Sequence, residues 1–166
     1  MKSIFYFFLT IFLTIQSSEI FSQKGIEKID YISFTFTHSR RIPYNYIQIE
    51  FFKSDSSAYI FVQSKAMNDN KKWKYSTFLK HYDIDLATFR SLVQKIQRFN
   101  NIDLDKTRVN GRDGNKCSIA LGIKESTIAY SFWTPNYETK NRGLTEFYAV
   151  CKSMIKLGRL KVQDIF

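Results

Sequence analysis

The sequence predicts an α+β fold, in which a mainly antiparallel sheet has two helices packed on one face. Three observations predict it: strand-like stretches occur in runs, two longer stretches repeat at helical spacing, and the two kinds do not alternate one by one. The predicted element order is ββββ-α-ββ-α. Since both helices would cover the same face, the other face of the sheet should be exposed to water.

The strands are predicted from alternation of apolar and polar residues and from β-branched and aromatic content. The clearest case is YISFTFT, in which Ile32, Phe34 and Phe36 share one face. The last two strands form a hairpin joined near Glu125. The six predicted strands are residues 31–37, 44–52, 58–64, 75–82, 117–124 and 126–133, of which the fourth is the weakest.

The two helices are predicted from apolar residues that recur at steps of three and four. The first begins after Asp85, whose carboxylate suits the N-cap, and its apolar stripe covers residues 86–99. The second follows Pro135 and carries its stripe over residues 144–155. We expect Gly158 to end this helix in the left-handed conformation.

The first residues are typical of a secretory signal peptide. A cation at Lys2 precedes an apolar run from Ile4 to Ile15, and polar residues follow it. This run is shorter than the roughly 20 apolar residues that a membrane-spanning helix needs. We therefore predict a signal peptide over residues 1–22 and one exported domain over residues 23–166, in the periplasm or outside the cell, with no membrane span in the mature chain.

Two cysteines, Cys117 and Cys151, are the only ones in the chain. In an exported protein an even pair is typical of a disulfide. Alternation turns Cys117 inward from its strand, and the helical stripe turns Cys151 inward from the last helix. The sequence therefore predicts a Cys117–Cys151 disulfide that joins sheet and helix.

The formal net charge of +10 at pH 7 concerns association rather than fold. An excess of this size favours polyanions, acidic proteins or anionic lipid heads as partners. Lysine, isoleucine and asparagine are scattered along the whole chain, so a compositional bias explains the excess equally well. Binding of a polyanion or a nucleic acid is therefore an alternative function.

Motifs of catalytic and cofactor sites are absent from the sequence: there is no G-x-S-x-G, G-K-[ST], H-x-x-x-H, C-x-x-C or G-x-G-x-x-G. We predict no catalytic residue, metal or cofactor. The weaker alternative is a secreted ribonuclease that uses His38 and His81, each near cations at the end of a predicted strand. Two imidazoles that flank a phosphate could act as general base and general acid.

The stretch VNGRDGNK, residues 109–116, spells G-x-x-G but lacks the flanking helices of a nucleic-acid clamp. Its Asn-Gly and Asp-Gly dipeptides favour turns. We predict a turn that directs Cys117 into the core and carries Arg112 at its tip as a contact at the rim of a binding surface.

Aromatic residues make up 17 % of the chain, and Tyr, Trp and Arg dominate the energetics of many protein interfaces. The segment SFWTPNYETKNR concentrates Trp133, Tyr137 and Arg142 around a proline bend. In the alternative interpretation, Trp133 covers the sheet edge and Tyr137 packs on the last helix. Further tyrosines fall in or beside strands, some of them opposite the core: Tyr44, Tyr46, Tyr59, Tyr75, Tyr82 and Tyr130.

The predicted binding residues are thus Trp133, Tyr137, Arg142 and Arg112. The function that these observations favour is binding without catalysis, with a protein as the partner. The concrete hypothesis is an exported inhibitor or immunity-type protein that neutralises a toxin or an enzyme through the exposed sheet face and this bend.

Overall fold

The computed structural model describes residues 28–38, 44–65, 78–109, 113–123 and 125–166. These residues form a single antiparallel sheet of six strands together with helices, so the α+β prediction is confirmed at that level. The predicted signal peptide, residues 1–22, lies outside the described residues. No helix in the described ranges is both long enough and apolar enough to cross a membrane.

The strands follow one another across the sheet in the order β4-β3-β2-β1-β5-β6, so β1 is central and β4 and β6 form the edges. The fourth strand ends at Ile84 rather than at residue 82, because Asp83 and Ile84 still pair with Tyr59 and Ala58. The bounds are β1 Tyr31–His38, β2 Tyr46–Lys53, β3 Ala58–Lys65, β4 Phe78–Ile84, β5 Asn115–Ile123 and β6 Ser126–Trp133.

Two long helices and one short helix accompany the sheet: α1 Leu86–Gln97, α2 Leu104–Thr107 and α3 Thr145–Leu157. The predicted N-cap of α1 is confirmed, since the Asp85 carboxylate accepts a hydrogen bond from the Thr88 backbone N–H at 2.7 Å. Hydrogen bonds from the Thr88 side chain and backbone lower the pKa of Asp85. A 3-10 turn, Arg98–Asn101, follows α1, and a second one, Val162–Asp164, lies near the C-terminus.

The hydrophobic core lies between the helices and one face of the sheet, which we call the inner face. Ile32, Phe34 and Phe36 of β1 point into it and are fully buried. From α3, the Phe147 ring lies 4.7 Å from the ring of Phe132 and 5.3 Å from that of Phe99, centroid to centroid. Burial of each such side chain contributes about 1.5–3 kcal/mol, so this layer holds the helices on the sheet.

The end of α3 differs from the prediction made for Gly158. Its φ is −71°, an ordinary right-handed value, and Arg159 instead has a positive φ of 56°. A Cβ on Gly158 would lie 2.9 Å from the Cδ1 of Ile49. Glycine therefore serves the close approach of the helix end to the sheet rather than a left-handed cap.

Both cysteines are buried where the pattern predicted, Cys117 on β5 and Cys151 on α3, but both are free thiols. The predicted disulfide is thus not formed in this structure. Burial and the hydrogen bond with the Cys117 thiol raise the pKa of Cys151 well above its usual range. A buried thiol that stays protonated is a weak nucleophile, so this pair is chemically quiet in its reduced form.

The opposite face of the sheet, which we call the outer face, carries the alternate residues of every strand. On β1 these are Tyr31, Ser33, Thr35 and Thr37, all of them only partly buried. The described helices pack against the inner face, and none of them covers the outer face. The outer face is therefore a surface that the described helices leave uncovered.

Candidate functional site

Five rings form a connected group on the outer face, which we call the aromatic cluster: Tyr31, Phe52, Tyr59, Phe61 and His81. The strand register places Tyr31, Phe52 and Tyr59 in one row across β1, β2 and β3. Phe61 and His81 lie in the next row, across β3 and β4. Ring centroids are 5.2 Å apart for Tyr31 and Phe52, 5.2 Å for Phe52 and Tyr59, and 4.9 Å for Phe61 and His81.

The contacts within the cluster make it a rigid surface. Phe52 and Tyr59 are stacked, and so are Phe61 and His81, while Tyr59 meets Phe61 edge to face at 5.7 Å. Cross-strand aromatic pairs of this kind contribute about 0.2–1 kcal/mol each. Side chains that are already ordered lose little entropy on binding, so the aromatic cluster is prepared for a partner.

Polar side chains beside the cluster are hydrogen-bonded to one another. The Tyr31 hydroxyl donates to Glu50 Oε1 at 2.7 Å, and the Tyr46 hydroxyl donates to Gln48 Oε1 at 2.7 Å. Gln63 Nε2 also donates to Gln48 Oε1, at 2.6 Å. Burial and, second, the hydrogen bond to Glu50 raise the pKa of Tyr31 to about 12. These hydrogen-bonded side chains extend the ordered surface from the aromatic cluster across β1, β2 and β3.

The charges on the outer face near the cluster are negative. Glu50 pairs across strands with Phe61, and Asp83 pairs with Tyr59. Lys116 lies at the far corner, opposite Trp133 on β6. Several of the basic residues that create the +10 charge fall outside the described residues, among them Arg40, Arg41, Lys71, Lys72 and Lys74. Among the described outer-face residues, the carboxylates of Glu50 and Asp83 are the charges that lie in the rows of the rings.

The bend between β6 and α3, residues 134–143, holds two residues in an unusual backbone conformation. Thr134 has a φ of 43° and Glu138 a φ of 44°. A positive φ is rare for a β-branched residue and is typical of sites where the surrounding structure imposes it. The Thr134 N–H donates to the Asn115 carbonyl at 2.6 Å, and its buried hydroxyl has no hydrogen-bond partner among the described residues.

Arg142 imposes this conformation from inside the bend. Its side chain is 4 % exposed, and every one of its N–H groups points to a backbone carbonyl. Nη1 donates to Thr134 O at 2.6 Å and to Tyr137 O at 3.0 Å. Nη2 donates to Thr107 O at 2.7 Å and to Trp133 O at 2.8 Å, and Nε donates to Thr107 O at 3.1 Å.

The structure places Arg142, one of the predicted binding residues, inside the bend rather than on its surface. Its guanidinium has no donor left for a partner, and its position shows an internal role: it joins α2, the end of β6 and the bend. Burial lowers the pKa of Arg142, with Glu138 acting in the opposite direction. Hydrogen bonds from a charged donor contribute more than neutral ones, which explains how a strained bend remains ordered.

The other predicted binding residues differ in how they are presented. Tyr137 is 52 % exposed and lies between exposed Asn136 and Glu138, so it is available to a partner. Trp133 is half-buried, and a Cβ on Gly114 would lie 2.6 Å from its Cζ2. Gly114 is thus required because the indole lies directly against the chain there. Arg112 lies outside the described residues.

Sequence reasoning found part of the aromatic cluster and missed the rest. Tyr59 was among the tyrosines placed in strands, and it does lie on the outer face. Tyr31, Phe52 and Phe61 were not predicted as site residues, and His81 was predicted only as a catalytic residue of the alternative ribonuclease. The sequence does contain a sign of the cluster. Each of these residues lies at a strand position that faces away from the core, where a polar side chain is expected rather than a ring.

The two histidines do not form a common site. Continuing the alternation of Phe34 and Phe36 places His38 on the inner-face phase of β1, whereas His81 lies on the outer face of β4. His81 shares its row with Ser33, three strands away across the sheet. From strand spacings, the two Cα atoms are roughly 20 Å apart. They cannot flank one phosphate.

Within the described ranges, no group of three or more His, Cys, Asp or Glu side chains is arranged to hold a metal ion. No protein-family model matches the chain, and no curated protein matches its sequence.

The first prediction concerns Arg142. Arg142→Lys should lower the free energy of unfolding by roughly 2–4 kcal/mol, because an ammonium has three donors and leaves buried carbonyls unpaired. Urea unfolding of the variant and of Lys140→Ala, an exposed change in the same bend, measures this. A loss no larger than that of Lys140→Ala would show that Arg142 does not organise the bend.

The second prediction concerns Tyr31. The pKa of Tyr31 is higher in the folded protein than in the unfolded chain, so the neutral phenol contributes to the free energy of unfolding. This contribution is complete below pH about 10, the ordinary pKa of tyrosine. This stabilisation should be lost as pH rises from about 10 through about 12. Ultraviolet titration of phenolate should lose its last step in Tyr31→Phe and keep it in Tyr137→Phe. An unchanged last step in Tyr31→Phe would contradict the assignment.

Proposed function

We propose that this protein is an exported binding protein without catalytic activity, which holds a protein partner against its outer face and the adjoining bend. The observation that carries the proposal is the aromatic cluster: five ordered rings on a sheet face that no described helix covers. Aromatic residues are enriched among the residues that dominate binding energy at protein interfaces.

The distance between the aromatic cluster and the bend supports a protein partner over a small molecule. Phe61 in the cluster and Trp133 at the start of the bend lie four strands and about four residues apart. From the spacing between strands and the rise along a strand, Phe61 and Trp133 are about 23 Å apart. A standard protein interface buries about 800 Å² on each partner, which is wide enough to reach both.

The charge of the outer face supports a protein over a polyanion. Glu50 and Asp83 lie beside the rings, and a phosphate backbone would meet both carboxylates. Binding of a nucleic acid depends on basic side chains that neutralise phosphates, and among the described residues of this face Lys116 lies at the corner away from the rings. A polyanion-binding function would therefore use other parts of the chain, and it predicts salt-sensitive retention on heparin.

An inhibitor or immunity-type role is the form of binding that these features favour. Complexes of this kind often form between surfaces that change little on binding. The stacked rings and the bend held by Arg142 are surfaces of that type. Export follows from the predicted signal peptide over residues 1–22, and places the partner in the periplasm or outside the cell.

The third prediction tests the outer face. The mature chain, residues 23–166, is immobilised and exposed to periplasmic and extracellular fractions of its host. The double variant Tyr59→Ser/Phe61→Ser should lose at least about tenfold in affinity for the retained protein, since two anchors are removed. Titration of the purified partner against each form measures the affinity, and an activity assay of the partner measures inhibition.

Tyr82→Ser provides the matched control, because Tyr82 is a partly buried tyrosine that lies on an edge strand but faces the core side. It should leave the affinity unchanged while circular dichroism confirms folding of all forms. Equal affinity for the double variant and the control would overturn the proposed site. If moderate salt abolishes capture of the partner, and if the protein itself is retained on heparin, the polyanion alternative is favoured.

The fourth prediction concerns the two thiols and export. We propose that Cys117 and Cys151 form a disulfide after export, because both are buried together between β5 and α3. Bridge formation requires the two sulfurs to approach to about 2.05 Å. Protein from the exported fraction, unfolded with an alkylating reagent, should show no labelled cysteine, and two labels after reduction. Two labels without reduction would contradict the bridge.

A further inference from the structure

The two edge strands of the sheet differ in how they are protected. β4 carries Lys80 and Asp83, and charged side chains on an edge oppose pairing with another chain. β6, with the sequence STIAYSFW, contains no charged residue and no proline. Its first four residues are exposed, and Ile128 is 64 % exposed. β6 is thus an unprotected edge with strong β-propensity.

The free backbone groups on β6 can be assigned from its pairing with β5. The Thr134 N–H donates to Asn115 O, and hydrogen-bonded pairs alternate along an antiparallel ladder. Residues of even number on β6 therefore bond to β5, and Thr127, Ala129 and Ser131 direct their N–H and C=O groups away from the sheet. No other described strand lies on that side.

Arg142 marks where this free edge ends. Its Nη2 donates to Trp133 O at 2.8 Å, so the outward carbonyl of Trp133 is already satisfied from within the chain. Among the described residues, the outward carbonyls of β6 that remain without a partner are therefore those of Thr127, Ala129 and Ser131. These residues are centred on Ala129.

We propose that a second copy of this chain pairs with β6 in antiparallel orientation, with Ala129 on the two-fold axis. In this register the outward groups of Thr127 meet those of Ser131 of the partner copy, and Ala129 meets its own equivalent. All three outward residues then form complete pairs, and the two sheets become one. This inference does not depend on the proposed function.

The side chains of β6 fit this register on both faces. On the helix side, Ile128 lies opposite Tyr130 of the partner copy, and a β-branched residue opposite an aromatic one is a favourable cross-strand pair. This pair would cover the exposed Ile128. On the outer face, the opposed residues are small or hydroxyl-bearing: Thr127 lies opposite Ser131, and Ala129 lies opposite its own equivalent. Antiparallel pairing also brings Glu125 of one copy toward the end that carries Lys116 of the other.

A single pair of short strands gives a small interface, which predicts a weak and reversible dimer. Interfaces below about 1,200 Å² in total are typical of transient association. We therefore expect a monomer–dimer equilibrium with a dissociation constant on the order of micromolar to hundreds of micromolar.

Sedimentation equilibrium of the mature chain over this concentration range tests the dimer. Ala129→Pro removes an outward N–H and leaves the β5 ladder intact, so it should weaken association at least about tenfold. Leu79→Lys, a change at the 71 % exposed Leu79 on the other edge, should not. A protein that stays monomeric throughout, or one whose association responds to Leu79→Lys and not to Ala129→Pro, would overturn the proposal.

A cysteine placed on the axis tests the register. Ala129→Cys should form a covalent dimer under mild oxidation, because the two residues face each other. Ser131→Cys, on the same face two residues away, should not, since its equivalent in the partner copy lies more than about 10 Å away. Equal cross-linking of the two variants would exclude this register. The buried Cys117 and Cys151 are present in both variants, so any cross-linking through them would be the same in both.

Discussion

The burial of Ile32, Phe34 and Phe36 on one side of β1 is the constraint on which the rest of the structure depends. β1 is central, and it pairs with β2 on one side and with β5 on the other. A slip of one residue in either register would move all three side chains to the outer face. The same constraint assigns the alternate residues of the neighbouring strands, and hence places the aromatic cluster and the free edge of β6.

The bend shows how a second constraint is added at the end of the sheet. Arg142 connects carbonyls from α2, β6 and the bend itself, so its hydrogen bonds form only after those segments have assembled. They hold Thr134 and Glu138 in conformations that isolated residues avoid. The exposed Tyr137 is thereby fixed relative to the sheet. A loop without this internal support would have to be ordered by the partner.

The fold was largely predictable from local patterns, because period-two alternation and helical spacing reflect which face of each element is buried. The Asp85 cap was predictable for the same reason, since the cap is formed within one turn. The role of Arg142 was not, because its carbonyl partners come from residues 107 and 133–137 and meet only in the folded chain. The aromatic cluster was missed because it depends on register, which pairs Phe52 of β2 with Tyr59 of β3. The free edge depends on strand order, which places β5 beside β1 and β6 outside β5, rather than beside β4.

The proposed dimer is compatible with binding at the aromatic cluster because the dimer uses the free edge of β6, whereas the cluster lies on the outer face of β1, β2, β3 and β4. A two-fold axis through Ala129 runs perpendicular to the sheet, so the outer faces of both copies would point in the same direction. The two aromatic clusters would then lie at opposite ends of one continuous surface, roughly 40 Å apart from strand spacings. Such an arrangement favours a partner that presents two equivalent sites, since the second contact becomes intramolecular once the first has formed. The weak edge contact would then be strengthened by the partner itself.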